Sequence, residues 1–223
     1  MKITPIFHIL SILIMPLSGF MMVSGFVDFV YNNQNWINFF ISATITLFVG
    51  MSVFLATRGH NDQNIDLRQA FVLTTMSWIT IAFFGALPFY LSNINLNFTD
   101  SFFESMSGIT TTGSTILISI EASPPGILVW RSLLQWLGGI GVIVMAIAIF
   151  PMLSVGGMQL FKAENFENPE KVVPRATSLT RGIFIIYSVL TLIWASLLYF
   201  SGMSSFDSIL HSMTTIATGG YST

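Results

Sequence analysis

The charged residues of this chain stand so far apart that a water-soluble fold is all but excluded. No Asp, Glu, Lys or Arg occurs in 3–27, 29–57, 69–99, 132–161 or 182–206. Each stretch is longer than the about 20 apolar residues a helix needs to cross a hydrocarbon core. Charged residues make up 8% of the 223, whereas a soluble domain carries about 25%, so too few remain to cover a surface. The net charge of −2 is not the basic stripe that nucleic acid requires. Membrane lipid is therefore the expected partner, and nucleic acid is not. Cysteine is absent, which excludes disulfides, thiolate chemistry and cysteine metal sites. His8 and His60 have no metal-ligand partner at useful spacing, and no cofactor is expected.

The expected fold is an all-α membrane protein with five transmembrane helices, near 6–30, 36–57, 69–92, 127–150 and 182–202. A cleaved signal peptide is the competing reading of the first stretch. The apolar run continues to Val30 with no small-x-small cleavage site, which counts against it. Basic residues set the orientation. Alternating helices put Lys2, Arg58, Arg68, Lys162, Lys171, Arg175 and Arg181 on one side, the cytoplasm, with the N-terminus. Arg131 alone falls outside.

Two charge-free gaps, 105–120 and 208–223, are short and rich in Thr, Ser and Gly. They suit re-entrant segments better than spans. Segments 98–116 and 205–223 align without gaps at a shift of 107 residues. Asp100, Ser101, Ser105, Met106, Ile109, Thr111 and Gly113 fall on Asp207, Ser208, Ser212, Met213, Ile216, Thr218 and Gly220. Internal repeats of this kind build transport pathways. In each copy an Asp-Ser pair is expected to cap a short helix. Roughly ten residues at 1.5 Å each give a helix that crosses about half a bilayer. Thr/Gly-rich extended backbone must then return, which lipid tolerates only where that backbone lines a cavity or is buried in protein. A helix entering from outside points its partly negative C-terminus at the membrane centre, which favours a cation. Successive carbonyls after it can replace a potassium ion's hydration shell. Ordinary extracellular loops are the bland alternative, and the repetition with correct polarity argues against it.

These motifs resemble the Trk/Ktr/HKT superfamily of potassium transporters, most closely its bacterial TrkH/TrkG membrane subunits. The matching residues are Ala86-Leu-Pro-Phe89 with Asp100 to Gly113, Leu134-Gln-Trp-Leu-Gly-Gly-Ile-Gly141 with Pro151 and Val155 to Leu160, and Phe206 to Thr223. The resemblance implies four helix–pore loop–helix repeats in fourfold pseudo-symmetry, after an extra helix pair. Residues 1–67 would be that pair and 68–160 the first repeat. Residues 161–181 would be a cytoplasmic loop and 182–223 the start of a second repeat, cut short. The implied selectivity filter uses Thr110, Thr111, Thr112, Gly113 and Ser114, then Ala217, Thr218, Gly219, Gly220 and Tyr221. Potassium would be held by Thr111, Thr112, Gly113, Thr218, Gly219 and Gly220. The second loop departs from the first, with Ala217 and Gly219 in place of threonines. The resemblance further implies a non-enzyme of the cell inner membrane that forms a homodimer at full length. It also implies a cytosolic nucleotide-binding TrkA-like regulator, which the 162–181 loop could touch.

Other residues have simpler readings. Glu104 and His211, at equivalent places in the two short helices, either tune the field at the filter or bond to neighbouring backbone and helices. Gly138, Gly139 and Gly141 permit close helix packing. Trp130, Trp136 and Trp194 read as membrane aromatics, Trp130 at the outer interface. A competing function is an intramembrane serine hydrolase, with Ser107 or Ser114 as nucleophile and His211 as base. It lacks a Gly-x-Ser-Gly motif, since Ser105 stands where the first glycine would be. A non-conducting, truncated membrane protein is a third possibility.

Overall fold

A computed structural model describes residues 3–59, 67–153 and 172–223, and the side chains of 3–59, 68–143 and 180–223. The described residues are helical, with no strand. The helices are α1 (Thr4–Val30), α2 (Trp36–Thr57), α3 (Leu67–Gly85), α4 (Leu87–Leu91), α5 (Phe98–Ile109), α6 (Pro125–Leu153), α7 (Val172–Phe200) and α8 (Ser205–Ile216). Among the described residues, five segments are long and apolar enough to cross a membrane: Thr4–Val30, Trp36–Thr57, Arg68–Leu91, Pro125–Ile143 and Thr180–Phe200. That is the number expected from the charge-free stretches.

Two boundaries differ from expectation. The third span is interrupted at Ala86, between α3 and α4. Pro88 has no N–H to give and its ring crowds the preceding turn. The carbonyl of Gly85 at this break accepts from Trp130 Nε1 at 2.9 Å. Trp130 is fully buried and makes that bond, so it packs inside the protein rather than facing lipid. The helix that carries the fifth span, α7, starts at Val172, ten residues before the expected start of the span. Pro174 is no obstacle there, because first-turn N–H groups lack helical partners anyway. The Val155–Leu160 motif, His60, Lys162 and Lys171 lie outside the described residues, as does most of the 161–181 loop. The side chain of Arg175 lies outside them too.

α1 and α2 form an antiparallel pair through a turn in which Asn32 has φ 54°. Small residues bring them together: a Cβ on Gly25 would meet Phe39, and one on Gly50 would meet Met15. Ser42 and Thr46 are buried in this interface and donate to the carbonyls of Asn38 and Ser42, one turn back. Their hydroxyls are thereby satisfied within α2, and that of Thr46 also reaches Met21 Sδ on α1 at 3.7 Å. His8 Nδ1 pairs with Thr57 Oγ1 at 2.9 Å, which makes it a bond between α1 and α2.

The pair packs on the rest mainly through α1, which touches α3 and α6, while α2 adds contacts with α4. Asp28, fully buried, fixes that contact. Its carboxylate accepts from the backbone N–H of Gly126 at 2.6 Å and from Asn35 Nδ2 at 3.0 Å. Gly126 lies in the first turn of α6, where N–H groups are free and the helix dipole favours an anion. A Cβ on Gly126 would run into Asp28. Asp28→Ala leaves the Gly126 N–H buried and unpaired, and should cost about 2 kcal/mol. A lowered midpoint of thermal unfolding in detergent would register the loss; an unchanged midpoint would show that Asp28 does not hold α1 to α6.

The core lies around the first half of α6. Ile127, Trp130 and Leu134 are fully buried there against Phe39, Phe89 and Ile109. α7 exposes large apolar side chains such as Ile186, Leu192 and Phe200, as a lipid-facing helix must.

Candidate functional site: two pore loops against one helix

The two short helices are each 12 residues long, about 18 Å at 1.5 Å per residue and so about half of a 30 Å core. Their caps stand one turn before the expected Asp-Ser pairs. Asn97 Oδ1 accepts from the N–H of Asp100 at 2.8 Å, and Ser204 Oγ accepts from the N–H of Asp207 at 3.0 Å. Asn97 and Ser204 have extended backbone, so the side-chain acceptor can reach back over the first turn. Asp100 and Asp207 are first-turn acids instead, favourably placed on the helix dipole. The hydroxyls of Ser204 and then Thr223 donate to Asp207 and hold its pKa below the ordinary carboxylate value.

Both helices end in the same motif. Thr111 N–H donates to the Gly108 carbonyl and Thr112 N–H to that of Ser107. Thr218 and Gly219 donate to Thr215 and Thr214 in the same way. This is a Schellman turn, and it needs one left-handed residue. Thr111 and Thr218 take that role, each at φ 56°. A β-branched residue is a rare occupant of this region, at a cost of about 1–2 kcal/mol. Two residues on, Gly113 and Gly220 have φ 76° and 78°. The backbone of one loop is thus reproduced in the other, including at positions where the side chains differ.

The chain beyond each turn leaves its helix C-terminus without regular secondary structure. Among the described residues, the carbonyls of Thr111, Thr112, Gly113, Thr218, Gly219 and Gly220 accept no hydrogen bond. The Ser114 carbonyl is different. It accepts from Ser107 Oγ at 2.6 Å and from the Tyr221 hydroxyl at 3.3 Å. The two loops meet where a Cβ on Gly113 would overlap the Gly219 carbonyl oxygen.

One helix backs both loops. A Cβ on Gly138 would strike the Ile109 carbonyl, at the end of α5. One on Gly139 would strike the Tyr187 hydroxyl and press on Ala217, at the end of α8. These two glycines serve close packing as expected, whereas Gly141 has only Trp78 near it, at 3.9 Å. Trp136 Nε1 donates to Thr191 Oγ1, joining α6 to α7, and Trp194 is exposed. Gln135 lies where a Gly219 side chain would be, and its Oε1 accepts from the Tyr221 N–H at 3.1 Å. That approach explains glycine at 219, where the first loop has Thr112.

Glu104 and His211 also act alike. Glu104 accepts from Thr115 Oγ1 at 2.9 Å and from the Ile116 N–H at 3.1 Å. His211 Nδ1 donates to the Asp207 carbonyl, leaving Nε2 to pair with Ser222 Oγ at 3.2 Å. Thr115 and Ser222 are repeat partners, so each short helix tethers its own return strand. Glu104 has a further partner that sequence reasoning missed, Arg131, whose Nε lies 2.8 Å from Oε1. The side chains of this ion pair are 1% and 0% exposed. His211 bonds to neither Ser107 nor Ser114, so the serine nucleophile and base are not brought together.

The family model described as TrkH, a cation transport protein, matches residues 35–223. The chain belongs to the TrkH family. It is 42% identical over 217 residues to the Trk system potassium uptake protein TrkI of Halomonas elongata, covering 97% of this chain and 44% of that one. It is 39% identical over 227 residues to the Trk system potassium uptake protein TrkH of Escherichia coli K12, covering 100% and 47%. The crystal structure of the potassium transporter TrkH from Vibrio parahaemolyticus superposes with a TM-score of 0.87 at 34% identity, over 100% of this chain and 44% of that one. The chain spans about half the length of the curated relatives it matches. As a TrkH-family chain with five membrane-crossing segments, it is a multi-pass membrane protein.

Proposed function

We propose that this chain provides the first two filter quarters of a potassium uptake subunit, with potassium shedding water onto the carbonyls of Thr111, Thr112, Gly113, Thr218, Gly219 and Gly220. The observation that carries this reading is the duplicated loop. Two helix C-termini end in the same backbone, and each leaves a run of unpaired carbonyls where the loops abut. Helix C-termini and carbonyls attract a cation and repel an anion. Thr110 lines the loop with its hydroxyl pairing to Thr112 at 2.8 Å, and Ala217 packs on Gly139. Ser114 and Tyr221 brace the loops in this reading and coordinate no ion.

Residues 1–67 are an accessory helix pair, 68–160 a first repeat, and 182–223 the start of a second in a longer subunit. The positive-inside bias supports a cytoplasmic N-terminus in the inner membrane. The subunit transports ions and is not an enzyme. It works as a homodimer with a cytosolic nucleotide-binding TrkA-like regulator. The test joins residues 1–223 to the matching second half of the E. coli relative, in a host without potassium uptake. The expected result is growth at low potassium and uptake of potassium. Chimeric protein that reaches the membrane, purifies as a single species and moves no potassium would sink the reading.

A further inference from the structure

Tyr221 belongs to the second loop, yet its side chain ends on the first. Its hydroxyl donates to the Glu104 carbonyl at 2.9 Å and reaches that of Ser114 at 3.3 Å. Its N–H is held by Gln135 Oε1 at 3.1 Å. The Arg131 guanidinium lies over its ring, 4.0 Å from the centroid. Arg131 also donates through Nη1 to the Ser222 carbonyl at 3.1 Å and through Nε to Glu104. Arg131 and Gln135 are one helical turn apart on α6, so they grip consecutive residues of the second loop from one face. Tyr221, Arg131, Gln135 and Glu104 are buried, whereas Ser114 and Ser222 are exposed.

We propose that Tyr221, held by Arg131 and Gln135, is a positioning residue that fixes the spacing between the two loops and thereby the preference for potassium over sodium. The inference rests on the potassium reading given above. The repeat partner of Tyr221 is Ser114, whose side chain is too short to bridge loops, so the strut interrupts a symmetry that the backbone otherwise keeps. Two residues before Tyr221, the Gly219 carbonyl lies against Gly113 of the first loop. Arg131 Nη2 and Gln135 Nε2 are buried without partners among the described residues. Buried unpaired donors destabilise, and apolar side chains would pack the same space at less cost. The cluster is thus better suited to holding a geometry than to holding the bundle together.

Tyr221→Phe removes the strut's hydroxyl and keeps the ring under Arg131. In the chimera described above, reconstituted in vesicles, potassium and sodium fluxes should show a potassium-to-sodium ratio about threefold to tenfold lower, the factor one hydrogen bond is worth. The yield of monodisperse protein should not change. Intact potassium flux with an unaltered ratio overturns this inference alone; an unmutated chimera that carries no potassium overturns the functional reading and this inference with it. If Tyr221→Phe fails to yield folded protein, Gln135→Leu, which frees the Tyr221 N–H and leaves its hydroxyl in place, is read in the same assay. Loss of both proteins, or equal loss of both fluxes, makes the role structural and overturns the proposal.

Discussion

Gly113→Ala should cut potassium uptake tenfold or more while leaving most of the protein folded. Two effects combine at this position. At φ 76° a side chain adds strain of about 1–2 kcal/mol. The added Cβ would also overlap the Gly219 carbonyl oxygen. The backbone fixes where the Cβ sits and the carbonyl is itself backbone, so no change of rotamer relieves the overlap, and the loops must move apart. Carbonyl spacing would then no longer fit a dehydrated ion, and uptake should fall by an order of magnitude or more, since each 1.4 kcal/mol is tenfold. Gly202→Ala is the control. Gly202 has φ 99° and open space where its Cβ would go. It carries the same kind of strain with no collision. It should lower the unfolding midpoint a little and leave uptake intact. Equal effects from the two substitutions would mean that Gly113 serves the backbone turn alone. Normal uptake in Gly113→Ala would remove the loop from the pathway.

Sequence spacing revealed the elements and hid the contacts between them. The five spans follow from charge positions, because a charge inside hydrocarbon is costly wherever the helix later packs. The paired loops follow from the 107-residue shift, which carries Thr111 and Gly113 onto Thr218 and Gly220. These are the positions where the backbone turns left-handed, so the identities recorded a geometry. Cap positions were missed by one turn because Asn97 lies just outside the aligned window, and only the alignment of Asn97 with Ser204 would have found it. Asp28, Trp130 and Gln135 were beyond reach. Each is explained by a partner distant in sequence, such as Gly126 for Asp28 at a separation of 98 residues. Arg131 left a trace. It was the one basic residue on the wrong side of the charge bias, and a buried ion pair is what such an exception signals.

Removing Glu104 should damage the protein more than any other single change outside the loop glycines. The carboxylate is fully buried and accepts from Arg131, Thr115 and the Ile116 N–H. Glu104→Ala strands the Arg131 charge and frees the start of the first return strand. Breaking one side of a buried pair costs about 3–5 kcal/mol, a large share of the 5–15 kcal/mol that holds a typical protein. Little folded protein should be recovered, and what remains should unfold at a markedly lower temperature. Glu104→Gln separates charge from shape. It keeps an acceptor for Thr115 and leaves Arg131 uncompensated, so it should remain strongly destabilised if charge dominates. Glu104→Met with Arg131→Met then removes both charges, and apolar replacements of a buried pair are often neutral. The double variant should therefore unfold at a higher temperature than Glu104→Gln, with a coupling of about 1–3 kcal/mol in the double-mutant cycle. That variant also removes the guanidinium from Tyr221 and from the Ser222 carbonyl. Recovered stability without recovered potassium preference would then separate the two duties of Arg131. Additive losses, with no coupling between the two positions, would show that the 2.8 Å contact does not join them energetically.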